Sequence, residues 1–462
     1  MRSFANSLWV MAAVAAVAAC GPSKRDDNFG NGGGSGSGTS CTSCGTLTGK
    51  VYAPNWAPGQ VPAGQEIPIF GADVYVAAVQ PQPIPGHVYC QACVDAPDGA
   101  VTTDHDGSFS LTVPPGHYWF VIEKGQFRIE QEMDVTVGAT TLSPSATTLP
   151  SRQDSANGAF IPRIAVAYGN YDAVGDILAK MGIGTLSGEK NPHTSAGVDN
   201  GDSTSEITFY DYDTTGAGSV ASLVSSLTEM SKYHIIFFPC STSVDDTLLA
   251  DQNVLKNIRQ YVAAGGKIYV TDWSGETADR AFPPQLTLGD GGFQGDIDSV
   301  GTYDPLAFTG TLTRHGTADG DLYTAADGKA VDPDLEAWLG LQTGPNEDNA
   351  MVSLYNPDKF TVVDNWNWIS KLDTVMKGTD MDNMPVYDEP KAWVTGSDES
   401  GHGPHPLAVT YEPTGCGKVL YSTFQTSGAD AAEMHAGLMP QERVLLFLIM
   451  EIDACTQNPI IL

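Results

Sequence analysis

Two kinds of apolar spacing divide the chain. In "GTLTGKVYAP" (45–54) and "IFGADVYVAA" (69–78), apolar side chains alternate with polar or small ones, the period of two that a strand with one buried face requires. "VTTDHDGSFSLTVPPGHYWFVIEKGQF" (101–127) continues it, with Phe109, Leu111 and Val113 before a Pro-Gly turn and Tyr118, Phe120 and Ile122 after it. Beyond residue 160 the spacing changes. "RIAVAYG" (163–169), "EITFYDYD" (206–213), "HIIFFPC" (234–240) and "KIYVTDW" (267–273) read as strands. Between them Val174, Ile177, Leu178 and Met181, then Val220, Leu223, Val224 and Leu227, fall at i, i+3, i+4, i+7, one face of a helix. Leu255, Ile258 and Val262 mark a third helix, ended by Gly265-Gly266. Strand–helix alternation predicts a mostly parallel, doubly wound sheet. "PQERVLLFLIMEI" (440–452) reads as a buried last helix, too short to span a bilayer.

The fold class expected is therefore multidomain: an all-β sandwich at 41–142, then an α/β doubly wound, flavodoxin-like parallel sheet at 161–462 with insertions around 285–400. The Ser/Thr/Pro-rich stretch at 143–160 reads as a linker. Residues 21–40, rich in Gly, Ser and charge, cannot bury enough apolar surface to fold, and as a coil they would span roughly 25 Å.

Residues 1–20 carry one Arg, an apolar stretch from Leu8 to Ala19 and then Cys20, the layout of an export signal. "VAAC" (17–20) resembles a bacterial lipobox, which implies that cleavage leaves Cys20 as a lipid-modified N-terminus. More than one acyl chain makes such an anchor stable, since each buried methylene contributes about 0.8 kcal/mol. By resemblance to sorting rules, Gly21 rather than Asp after the cysteine points to the outer membrane or cell surface. The 55 acidic and 23 basic residues leave a net charge of −32, which argues against a nucleic-acid partner.

Export also bears on the cysteines. "CTSC" (41–44) and "CQAC" (90–93) have the spacing of a two-knuckle zinc site, but disulfides persist outside the cytoplasm. The expectation is Cys41 with Cys90 and Cys44 with Cys93, a third bridge between Cys416 and Cys455, and zinc as the alternative. Cys240 is left over, inside an apolar strand.

Two family resemblances add to this reading. "GKVY", "GADVYV" and "TTDHDGSFSLTVPPGHYWFVI" resemble carboxypeptidase-regulatory-like domains, which are transthyretin-like β-sandwiches that act as spacers or binding units. In the turn, Asp104 can bond its own backbone and Gly107 can take a positive φ. "YHIIFFPCST", "LKNIRQYVAAGGKIYVTDWSGE" and the closing hairpin "HPLAVTYEPTGCGKVLYSTFQTSG" (405–428) resemble class I glutamine amidotransferase-like domains, especially ThuA-like ones. That family's thiol sits on a sharp elbow after the next strand, with a histidine later. Here the elbow falls at Asp272 or Trp273 and the histidine position at Gln425 or Thr426, so the resemblance implies the fold without the triad. A reactive thiol also needs a base or a helix terminus to lower its pKa. Cys240 accordingly reads as a buried thiol.

Open α/β sheets bind ligands beyond the carboxyl ends of their strands, which makes Asp211, Asp213, Cys240, Ser241, Asp272 and Trp273 the candidate ligand edge. The three acids could share calcium, or else cap helices. Trp366 and Trp368, two apart in "VVDNWNWISK" (362–371), would share a face on a strand and could stack on a sugar. No resident cofactor and no catalytic residue is expected. The reading is a surface-tethered lipoprotein, joined to the membrane by its lipid, that binds or assembles with an envelope protein or glycan. An envelope hydrolase or sugar-acting enzyme and a carbohydrate-binding lipoprotein are the alternatives.

Overall fold

Alternation becomes strands wherever one face is buried. The structure, a computed structural model, describes residues 41–452 apart from 42, 92–96, 98, 169–170, 185–205, 213–214, 242–245, 284, 289–295, 301–310, 316–324, 346–350, 357, 380–382, 399–402 and 427–437. The export signal, Cys20, the 21–40 tether, Cys93, Asp213 and Cys455 lie outside the described residues. Among the described residues no helix is long and apolar enough to cross a membrane.

The first folded unit has two sheets. β1 (Gly45–Lys50), β4 (Ser108–Val113) and β7 (Gly138–Thr141) make one, in the order β4–β1–β7. β2 (Asp73–Ala77), β3 (Val101–Thr102), β5 (Gly116–Lys124), β6 (Phe127–Val135) and β8 (Ala159–Phe160) make the other, in the order β3–β2–β5–β6–β8. Leu47, Phe109 and Leu111 from the first meet Val74, Phe120 and Ile122 from the second in one apolar cluster. Burying each such large side chain stabilises the fold by about 1.5–3 kcal/mol. In the turn before β4, Gly107 has φ +75°, and a Cβ there would meet Val51 O at 2.7 Å. The side-chain acceptor of this turn is Asp106, through Ser108 N–H at 3.0 Å, rather than the expected Asp104.

Residues 143–160 are not a bare linker. Pro144–Thr147 is a helical turn whose Thr147 is buried and donates to Lys50 O at 2.6 Å, and Ala159–Phe160 pairs with β6. Strand β6 breaks the alternation rule, because Arg128 and Glu130 lie inside it, 2.7 Å apart and nearly fully buried.

The second unit centres on a nine-stranded sheet. β9 (Ile164–Tyr168), β10 (Ile207–Asp211), β11 (Ile235–Phe238) and β12 (Lys267–Thr271) are followed in the chain by β13 (Ala325–Ala330), β14 (Phe360–Thr361), β15 (Lys391–Asp398), β16 (His405–Tyr411) and β17 (Lys418–Ser422). The order across the sheet is β10–β9–β11–β12–β17–β16–β15–β13–β14. The first five of these run parallel and the remaining pairings are antiparallel. The sheet is thus mixed rather than mostly parallel: the short turn from β16 to β17 forces an antiparallel pair, and the 285–400 region extends the sheet through β13, β14 and β15.

Apolar layers cover both faces of the parallel part. Ile164, Val166, Ile235 and Phe237 share a cluster with α1 (Val174–Lys180), while Ala165, Ala167, Ile236 and Phe238 share another with α2 (Gln252–Ala263). Burial on both faces is why these strands read as unbroken apolar runs. The face of Val220, Leu223, Val224 and Leu227 is not one helix, because Ser226 caps a new one through Glu229 N–H at 3.2 Å.

The two units share the first of these clusters. Trp338, on α3 (Pro333–Gly340), donates its indole N–H to Pro68 O at 2.8 Å, and Lys124 pairs with Glu451 on α4 (Pro440–Ile452). His105 bonds Asp334 at 3.0 Å and stacks on Phe70 at 4.4 Å.

The cysteine pairing differs from the expectation. Cys41 is bonded to Cys44, and Cys90 to Cys416, 326 positions away. This replaces Cys41–Cys90, Cys44–Cys93 and Cys416–Cys455, and it leaves no four-thiolate zinc set from the two motifs. The physical reason is the path of the 85–90 segment. It crosses to the α/β unit, where Val88 N–H bonds Ser231 O at 2.9 Å and His234 Nε2 donates to Pro85 O at 2.8 Å. That path carries Cys90 to the turn before β17 and away from Cys41.

Candidate functional site

Adjacent parallel strands place the residues beyond their carboxyl ends side by side. Cys240 follows β11 and Asp272 follows β12, and the thiol of Cys240 lies 3.5 Å from Asp272 Oδ2, within donating reach. Asp272 has φ +45°, the left-handed region, where a residue other than glycine costs about 1–3 kcal/mol unless its surroundings hold it. They do hold it. Its carbonyl accepts the Tyr421 hydroxyl at 3.1 Å and the Asn367 amide at 3.4 Å. Its Oδ1 accepts Trp366 N–H at 3.1 Å, and its Oδ2 accepts the Gln425 amide at 3.3 Å. Asp272 and Gln425, two of the positions that the sequence singled out, thus meet directly.

A second buried acid supports this floor. Asp172 Oδ2 accepts Thr271 Oγ1 at 2.7 Å, Thr426 N–H at 2.9 Å and Thr426 Oγ1 at 2.8 Å. Thr271 Oγ1 in turn accepts Cys240 N–H at 2.8 Å. Sequence reading passed over Asp172, although an acid just past the first strand of such a sheet is a signal that could have found it. Ser241 is buried beside Cys240.

Burial disfavours the charged form of both groups. Burial raises Asp272 well above the ordinary carboxylate range, outweighing the hydrogen bonds from Gln425, Cys240 and Trp366 N–H, and nearby Asp172 adds to the rise. Burial, then the Asp272 charge, pushes the Cys240 thiol up. A protonated thiol beside an acid lacks both properties of an activated nucleophile.

The alternative in which Asp211, Asp213 and Asp272 share a cation is not supported by the placement of the two that are described. Asp211 ends β10, three strands from β12, which at a strand spacing of about 4.8 Å puts it roughly 14 Å from Asp272. Among the described residues no group of three or more His, Cys, Asp or Glu could hold a metal ion. The tryptophan pair is corrected as well. Trp366 and Trp368 lie in an irregular segment before the strand that begins at Ile369, with Asp364 at φ +50°. Trp366 instead meets Trp273 at 6.5 Å, and Trp273 meets Tyr171 at 5.9 Å, whereas Trp368 packs on His405 at 4.4 Å.

No family model matches the chain, and no curated protein does. Among solved structures it is similar to a cytoplasmic protein from Salmonella typhimurium, with 12% identity over 57% of this chain and 83% of that one and a TM-score of 0.27. It is also similar to a ThuA-like protein from Parabacteroides merdae, with 12% identity over 59% and 87% and a TM-score of 0.26. A cold-adapted β-galactosidase from Rahnella gives 15% identity over 64% and 32%, with a TM-score of 0.25.

Proposed function

We propose that this chain is an exported, lipid-anchored envelope protein whose folded part binds or assembles without turnover. The anchor is read from "VAAC" (17–20) and the tether from residues 21–40. The two sheets β1–β8 support reading the first unit as a carboxypeptidase-regulatory-like β-sandwich. The order β10–β9–β11–β12–β17 supports reading the second as a flavodoxin-like, amidotransferase-like domain. The observation that carries the non-catalytic reading is the elbow. On the alignment read from the sequence, Asp272 falls where that family has its thiol, and both of its carboxyl oxygens accept from uncharged donors. Crosslinking on intact source cells, followed by affinity capture of the wild type and of Asp272→Asn, tests this. The expected result is one reproducible set of envelope proteins for both. Capture of the bait alone by the wild type removes the assembly reading.

A second reading, an envelope hydrolase using this edge, draws on one observation: a fully buried acid held at positive φ. Strain of that kind collects at functional sites. Loss of a hydrolytic activity in a folded Asp272→Asn protein would establish it over the first.

A further inference from the structure

Above the buried carboxyl, three aromatic side chains make a corner. Trp273 directly follows Asp272, and Trp366 is fixed by its own N–H on Asp272 Oδ1 at 3.1 Å. Tyr171 meets Trp273 at 5.9 Å and 76°, and Trp273 meets Trp366 at 6.5 Å and 61°. Tyr171 and Trp366 are each 36% exposed, and Trp366 is held at its root by Asp272.

Beside this corner, Gln425 is 2% exposed, and among the described residues its Oε1 has no hydrogen-bond partner. Its amide nitrogen is already committed to Asp272 Oδ2 and to Cys240 Sγ, at 3.3 and 3.6 Å. A donor supplied by a ligand would satisfy this acceptor. An apolar peptide side chain would stack on the rings but leave the acceptor unmet. A cation would need an available carboxylate, and both Asp272 oxygens are occupied. An anion would meet a chain of net charge −32. A neutral sugar ring has the matching set of groups, with a C–H face for the indoles and hydroxyls that donate.

We propose that Tyr171, Trp273, Trp366 and Gln425 form a binding site for a neutral carbohydrate ring. This rests on the binding reading above and names the class of ligand.

The test uses the full chain and neutral hexasaccharides of glucose, mannose and xylose, followed by tryptophan fluorescence and titration calorimetry. Saturable binding of at least one is expected, and Trp366→Ala should weaken it about tenfold or more, equivalent to about 1.4 kcal/mol. Gln425→Met should weaken it too, and Trp366→Phe should retain part of it. Trp368→Ala, whose ring packs on His405, should bind as the wild type does. If Trp366→Ala does not fold, Tyr171→Ala takes its place. The proposal falls if no hexasaccharide saturates the wild type, or if the folded Trp366 and Gln425 variants bind as the wild type does. Chromatography of the sugar after incubation separates the two readings. Cleaved sugar overturns the non-catalytic reading and keeps this site. Absent sugar binding with intact envelope crosslinks overturns this site and keeps the assembly reading.

Discussion

Asp388→Asn should change the pH dependence of stability in one direction and by a calculable amount. Asp388 ends the second strand of a ribbon, Val375–Thr379 with Pro385–Asp388, and is only 3% exposed. Its Oδ1 accepts Glu412 N–H at 2.8 Å, and the Glu412 carboxylate contacts Lys377 at 3.3 Å and Lys418 at 3.6 Å. Burial raises the Asp388 carboxyl from 3.8 to about 6, against the opposing pull of Glu412 N–H and Lys377, with the Glu412 charge adding to the rise. A carboxyl raised on folding holds its proton more tightly in the folded chain than in the unfolded one. Its stabilising contribution is complete below the unfolded value, falls as pH climbs from about 4 to 6, and is gone above that. A shift of roughly two units at 1.36 kcal/mol each gives about 3 kcal/mol. Asparagine keeps the acceptor for Glu412 N–H and removes the titration. Urea unfolding of both proteins across pH 4–8 isolates this group, since the other ionisable groups are common to both. The variant should gain about 3 kcal/mol on the wild type between the acid and neutral ends. Parallel curves, or a variant that loses ground as pH rises, would refute the reasoning.

Other outcomes follow from the packing. Cys240, 1% exposed with its thiol pushed up by burial and Asp272, should escape maleimide at pH 8 in the native protein and label fully in denaturant, as read by peptide mapping. Replacing Cys90 and Cys416 by Ser should cost about 2–5 kcal/mol in chemical denaturation, because their bridge closes a loop of 326 positions. Trp338→Ala should cost about 3–5 kcal/mol, because the ring is fully buried, packs on Phe447 at 5.3 Å and bonds Pro68 O. A folded Trp338→Ala protein with an unchanged urea midpoint would show that the two units do not depend on this contact.

Strands β9–β12 and helices α1 and α2 were legible in the chain because burial on two faces, or on one helix stripe, leaves a period in the letters. Strand β6 was not, since Arg128 and Glu130 form an ion pair inside the core and no periodicity records a partner. The same limit hid the cysteine pairing. Spacing suggested that the two Cys-x-x-Cys motifs belonged together, but Cys90 goes where its segment is carried, to Cys416. At the site, the sequence singled out Asp272 and Gln425 without showing that they meet, at 3.3 Å. It could not show that Asp172 supports the floor or that Trp273 rather than Trp368 faces Trp366, since those contacts join segments about 100 residues or more apart.

What the sequence determined by itself was local: that β9–β12 are strands and that α1 and α2 are helices. Tertiary structure alone decided which cysteines meet, that four antiparallel strands extend the parallel sheet, and that an acid, an amide and a thiol share one buried floor. The physical reason is range. Backbone propensity and burial period act over a few residues, whereas pairing, charge neutralisation and ring contact depend on which distant segments the core brings within a few ångströms.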